Sequence, residues 1–136
     1  LDHLGGPIGI GPYAQNRDEV FRDWHSALSR VAQHENVFLK VGGIQMPING
    51  FGWHEHESAP TSDELLVKNR DWYLTAIELF GPERCMFESN FPVERQSCSY
   101  TAVWNQFKKL SSDFSDSERA ALMHDTALKA YRLTDY

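Results

Sequence analysis

The sequence predicts an α/β chain built on a parallel sheet, and three observations carry that expectation. Short β-rich runs alternate with longer segments whose apolar residues recur every three or four positions. The connections after the helical segments are short, "HEN" and "GPE", while those after the strands are long and polar-rich. Alternating strands and helices imply parallel pairing through crossovers, and such folds place ligands at the C-terminal ends of their strands.

Taken in order, "LDHLGGP", Leu1 to Pro7, reads as a strand end running into a glycine turn. With no initiator Met before it, the chain is expected to be a fragment whose first strand begins upstream. From Arg17 the period becomes helical: Val20, Phe21, Trp24, Ala27, Leu28 and Val31 share a face. Asp18 and Glu19 sit in its first turn, where the helix dipole favours acids. "NVFLKVGG", Asn36 to Gly43, is a buried strand closed by glycines. The loop "IQMPINGFGWHEHESAP" follows, of a length that compact domains commonly reserve for function.

Thr61 or Ser62 caps the second helix, with "TSDE" as a capping box. Leu65, Leu66, Trp72, Ile77 and Phe80 are its apolar positions, and Gly81-Pro82 stops it. The strand "RCMFES" comes next, then a helix from Tyr100 to Leu110. A last helix starts at "SDSE", Ser115 to Glu118, and runs through Ala121, Leu122, Ala127 and Tyr131.

At 136 residues the chain suits one domain, and 41% apolar residues with 12% aromatic ones suit a globular core. A net charge of -6 argues against a nucleic-acid partner, which needs clustered Lys and Arg; Lys108-Lys109 reads as a solvated helix face. Cys85 and Cys98 are too few for a disulfide scaffold and lack zinc-site spacing. No run approaches the ~18 apolar residues of a membrane span, and no signal segment opens the chain. The expected setting is cytoplasmic, with a small-molecule substrate as partner, no nucleic acid and no membrane; self-association into a homo-oligomer is left open.

The candidate chemistry follows the strands. In "RCMFESNFPVE" an apolar run stops on Glu88, Ser89 and Asn90, an ending from which a packed core gains nothing. Side chains alternate along strands, so Phe38, Lys40 and Gly42 share one face, as do Met86, Glu88 and Asn90. A Lys in an apolar strand needs a partner; Lys40 and Glu88 can pair at a site or as a purely structural ion pair. Asp2 and His3 either serve a site or satisfy local backbone groups. His54 and His56 form an HxH pair that can hold a metal, contact substrate or simply be solvated. Trp53, in the same loop, can line a pocket. His25, His34 and His124 lie on helical segments and need no functional account.

"LDHLGGP", "NVFLKVGG", "GPERCMFESNFPV" and "ALKAYRL" together resemble the C-terminal part of the amidohydrolase-related proteins, predicted hydrolases with a (β/α)8 barrel. The resemblance covers nearly the whole chain in order and spacing. It implies that residues 1–136 are the C-terminal portion of one such barrel domain: the end of strand six, strands seven and eight, and their helices. The family's site uses an HxH pair on strand one, a His after strand five or six, and a carboxylate ending strand eight. His3 matches that later histidine; His54 and His56 are not the HxH equivalent. Some members use a divalent metal to activate water, others hydrolyse lactones without one, and metal-dependent decarboxylases of aromatic acids belong here too.

The chain departs at strand eight, where "GSDWP" is usual and "ESNFP" stands here, with Asn90 in place of Asp. An amide cannot act as a base near pH 7. Glu88 can substitute if burial raises its pKa, whereas pairing with Lys40 keeps it ionised. The resemblance therefore implies a hydrolase adding water to a lactone or ester of a small carboxylated or sugar acid. A metal-dependent decarboxylase and a catalytically inactive binding relative are the alternatives. His3, Asn90 and Glu88 are the expected catalytic residues, and His54, Trp53, Ser89 and Lys40 the expected substrate contacts. The cofactor is none or one divalent metal, Zn or Mn, with His3 as its ligand here. The isolated segment is expected to be inactive, because part of a barrel exposes strand edges and half a core.

Overall fold

The computed structural model of the chain describes residues 1–133. Its elements are α1 (Arg17–Ala32), β1 (Leu39–Gly42), α2 (Ser62–Phe80), β2 (Cys85–Glu88), α3 (Tyr100–Leu110), α4 (Asp116–Ala120) and α5 (Thr126–Tyr131). β1 and β2 pair in parallel, with Leu39 beside Cys85 and Gly42 beside Glu88. On the other edge of β1, the Leu1 N–H donates to the Phe38 carbonyl at 2.7 Å and the Lys40 N–H to the Leu1 carbonyl at 2.9 Å. The opening residues thus extend the sheet, in the parallel α/β arrangement expected.

Alternation along the strands sorts the two faces. Leu39, Val41, Cys85 and Phe87 are buried, and they face the helices: Phe87 stacks on Phe107 of α3 at 4.4 Å, and the Cys85 thiol points at the Ala76 carbonyl of α2. Lys40, Met86 and Glu88 take the opposite face. Phe21, Trp24 and Trp72 pack together where α1 meets α2, with Trp24 and Trp72 rings 4.8 Å apart. α2 begins with a full capping box, Thr61 with Glu64, and α4 with another, Ser115 with Glu118.

Three boundaries differ from the sequence expectation. β1 begins at Leu39 rather than Asn36, because the turn closing α1 extends to Val37, whose N–H donates to the His34 carbonyl. The loop after β1 contains two short 3-10 turns, Pro47–Asn49 and Trp53–Glu55. The last helix is interrupted by a π turn, Ala121–Asp125. That extra residue keeps Ala121 and Leu122 in the core while letting the Thr126 hydroxyl reach the Pro82 carbonyl at 3.2 Å. Among the described residues no helix is long and apolar enough to cross a membrane.

Candidate functional site

The ends of β1 and β2 and the opening segment around His3 meet at a pair of glycines. A Cβ on Gly42 would collide with the Glu88 carbonyl, and one on Gly43 with the His3 ring. Gly43 also has φ +74°, a region that favours glycine. His3, Leu4 and Asn90 occupy the same left-handed region without being glycine, at φ 54°, 55° and 52°. Such strain persists only where surrounding packing enforces it, and it gathers at functional sites. Here Leu4 is fully buried and its carbonyl accepts a hydrogen bond from the Trp24 indole at 2.6 Å, which pins the turn behind His3.

Glu88 is the hub. Its Oε1 accepts from the His3 backbone N–H at 3.0 Å and lies 2.6 Å from His3 Nδ1. Its Oε2 lies 2.9 Å from Lys40 Nζ, and Lys40 also reaches Asp2 at 3.2 Å. The Glu88 side chain is 9% exposed and Lys40 28%, so the pair is shielded from water far more than a surface bridge. Burial alone would lower the Lys40 pKa, but hydrogen bonds and charge from Glu88 and Asp2 outweigh it and raise the ammonium's pKa. The hydrogen bond and charge of Lys40 hold the Asp2 carboxyl below the usual range. Asp2 and His3 therefore engage side chains across the sheet instead of capping local backbone groups.

Among the described residues, the other expected site residues make no bond to this hub. Asn90 lies beyond the end of β2 in the left-handed region, so it does not continue the strand face of Met86 and Glu88 as expected; it makes no hydrogen bond to His3, Lys40 or Glu88, and its buried Nδ2 has no hydrogen-bond partner among the described residues. The Ser89 hydroxyl accepts from the Phe91 N–H at 3.3 Å, so it serves the turn. Trp53 is buried edge-on to His56, with ring centroids 5.2 Å apart, and its indole nitrogen likewise lacks a partner. His54 faces its neighbour Glu55 at 3.7 Å. A cleft of about 590 Å³ lined by Glu35, Glu83, Arg84 and Lys129 opens where β2 begins, at the other end of the sheet. It holds no paired acid and base, so the strand-end cluster is the better site.

Sequence reasoning missed Glu94, Gln45 and Arg17. Glu94 and Gln45 are each 1% exposed, and the Gln45 N–H donates to Glu94 Oε1 at 2.7 Å. Arg17 donates to the Asn49 carbonyl at 2.6 Å, and Asn49 Nδ2 donates to the Pro7 carbonyl at 2.7 Å, joining the loops after Leu1 and β1. Nothing in "PVER" marks a buried acid, since charged residues at a turn are ordinarily solvated.

A family model described as Amidohydrolase matches residues 1–133. The chain belongs to the amidohydrolase family. This amidohydrolase-family chain is 40% identical over 133 residues to the uncharacterized protein y4mH of Sinorhizobium fredii, covering 98% of the chain and 38% of that protein. It is 30% identical over 137 residues to an L-fucono-1,5-lactonase of Burkholderia multivorans, covering 99% of the chain and 43% of the lactonase. A crystal structure of an amidohydrolase from Burkholderia multivorans with bound HEPES superposes with a TM-score of 0.82 at 29% identity, over 98% of this chain and 44% of that one. A second crystal form with bound zinc gives 0.79 at 29% identity, over 98% and 43%. The chain thus spans less than half the length of the relatives it matches.

The residues of this amidohydrolase-family chain do not by themselves fit a divalent metal. Among the described residues no group of three or more His, Cys, Asp or Glu side chains converges on one point. His3 Nδ1 and both Glu88 oxygens are already engaged, an ammonium lies 2.9 Å from the carboxylate, and Asn90 brings a neutral amide in place of a carboxylate.

Proposed function

We propose that this chain forms the end of strand six and strands seven and eight of an amidohydrolase barrel that adds water to a lactone of a small sugar or carboxylated acid. The observation that carries the reading is the His3–Glu88 contact, 2.6 Å through Nδ1 with the His3 backbone N–H on the same oxygen. A carboxylate at Nδ1 favours the tautomer with its proton there, leaving Nε2 as a lone-pair acceptor. His3 is then the general base, and Glu88 is the group that orients it and stabilises the imidazolium. Both Glu88 oxygens are occupied, which argues against Glu88 itself taking a proton from water.

In this scheme His3 Nε2 accepts a proton as water oxygen bonds to the lactone carbonyl carbon. The oxyanion of the tetrahedral intermediate accepts a hydrogen bond from the Asn90 amide, whose Nδ2 has no partner among the described residues to hold it back from turning toward the substrate. Collapse breaks the ring C–O bond, and the imidazolium returns its proton to the departing alkoxide, giving the hydroxy acid. A neutral amide suits this role better than an acid: a donor is what an oxyanion requires. The names of two relatives, both L-fucono-1,5-lactonases, support the substrate class.

The test is hydrolysis of sugar-acid 1,5-lactones by the full-length protein, followed by proton release in weakly buffered solution. Hydrolysis lost in His3→Ala and Asn90→Ala supports the scheme. Wild-type protein that leaves such lactones intact, or His3→Ala that turns over normally, sinks it.

A further inference from the structure

The loop that leaves His3 and the loop that follows β1 touch along a seam of bare backbone. The Gly9 N–H donates to the Ile48 carbonyl at 2.9 Å. A Cβ on Gly50 would meet the Gly9 carbonyl, and one on Gly9 would meet the Asn49 carbonyl and the Arg17 guanidinium. Gly50 also has φ +75°, where side chains are disfavoured. Asn49, 1% exposed, crosses the seam by donating from Nδ2 to the Pro7 carbonyl at 2.7 Å.

Arg17 closes this seam from the side. It is the first residue of α1, where a cation opposes the helix dipole, so the helix gains nothing from its charge. Its Nη1 instead donates to the Asn49 carbonyl at 2.6 Å. The guanidinium carbon lies 4.6 Å from the centre of the Phe51 ring and 5.6 Å from that of Trp72 on α2. Among the described residues no carboxylate lies within ion-pair distance of it. One flat cation therefore grips the Asn49 main chain and two ring faces at once, a task for which a guanidinium is better shaped than an ammonium.

We propose that Arg17 is a positioning residue that clasps the loop carrying Trp53 and His54 to the loop leaving His3, and so sets substrate affinity more than the rate of chemistry. The effect on affinity rests on the hydrolytic reading above; the clasp itself does not. Phe51, under the guanidinium, stands two residues before Trp53, so release of Arg17 frees the stretch that leads into the expected substrate contacts. The bonds from His3 and Lys40 to Glu88 do not involve Arg17, so the hub keeps its geometry when Arg17 is changed.

The experiment compares full-length wild type with Arg17→Met, Arg17→Lys and Gly9→Ala. Methionine keeps an unbranched stem without donor or charge, and lysine keeps a cationic donor without the flat face. Gly9→Ala leaves Arg17 in the sequence and puts a methyl group where its guanidinium lies. The first readout is the hydrogen-exchange protection factor of the residue 9 amide. Arg17→Met and Gly9→Ala should each lose about tenfold in protection, the worth of one modest hydrogen bond.

The second readout is lactone hydrolysis. Arg17→Met should raise KM about tenfold with kcat within about twofold of wild type, the pattern of lost binding rather than lost chemistry. Arg17→Lys should recover to about threefold in KM, and Gly9→Ala added to Arg17→Met should raise KM no further than the larger single change. Thr61→Ala, which weakens the fold away from the seam, should leave KM alone, so a general loss of stability does not mimic the effect. Wild-type KM in Arg17→Met overturns the proposal, as does a fall in kcat with KM unchanged or full protection of the residue 9 amide. Should Arg17→Met not fold, a Gly9→Ala protein with wild-type protection and KM overturns it equally. If wild type hydrolyses no lactone yet the exchange pattern holds, the hydrolytic reading fails and the clasp stands.

Discussion

His3 and Lys40 hold opposite oxygens of a single carboxylate, Nδ1 at 2.6 Å from Glu88 Oε1 and Nζ at 2.9 Å from Oε2. Each group therefore fixes one half of Glu88. The ammonium keeps the carboxylate in place while the carboxylate keeps the ring in place.

Replacing Glu88 with glutamine turns one of those acceptors into a donor. The His3 tautomer is then no longer enforced, and we expect kcat/KM for lactones to fall about 10²- to 10³-fold, by the logic of an Asp-to-Asn change beside a catalytic histidine. Nitrogen shifts of the His3 ring should show mixed tautomers; a single unchanged tautomer would count against the orienting role.

Lys40→Met leaves the Glu88 carboxylate, only 9% exposed, without its ammonium. Removing one partner of a shielded pair costs about 2–4 kcal/mol. Urea unfolding should show that loss as a lower midpoint with an unchanged slope.

Trp24→Phe removes the indole donor from the buried Leu4 carbonyl, a bond of 2.6 Å. The orphaned carbonyl costs about 1–3 kcal/mol. Because Leu4 and His3 share the left-handed turn, catalysis should weaken as well as stability. Thr61→Ala is the contrast: loss of the α2 cap should cost about 1 kcal/mol and leave kcat untouched.

Glu94 predicts a pH trend of definite sign. Its carboxyl rises from 4.5 to about 8 on folding, so the folded state holds a proton that the unfolded chain releases. Stability from this group is fully present below about pH 4.5 and is lost progressively as pH climbs toward 8. A tenfold difference in proton affinity between the two states is worth about 1.4 kcal/mol, so the wild-type Tm should decline across that window. The decline should flatten in Glu94→Gln. Parallel curves for the two proteins would refute the assignment.

The fold was legible because its signals are local. Val20, Phe21, Trp24 and Leu28 mark α1 by spacing, and Thr61 with Glu64 marks the start of α2 by chemistry. The Lys40–Glu88 pair was legible from strand alternation alone, since both side chains must leave the helix-covered face. The His3–Glu88 bond was not: 85 positions separate the two residues, and they meet because the opening segment and β2 both pair with β1. Glu94 was hidden for the opposite reason. Its neighbours in sequence are those of an exposed turn, while the groups that meet its side chain, Gln45 and Tyr73, come from distant parts of the chain.

Gly42 and Gly43 carry a consequence for how this site can diversify. One abuts the Glu88 backbone and the other the His3 ring, so neither accepts any side chain without displacing the hub. Beside the hub the main chain is bare and closed to mutational exploration. Within this chain, the long loop beyond Ile44 and the turn around Phe91 are where side chains can vary while the charged hub is inherited intact.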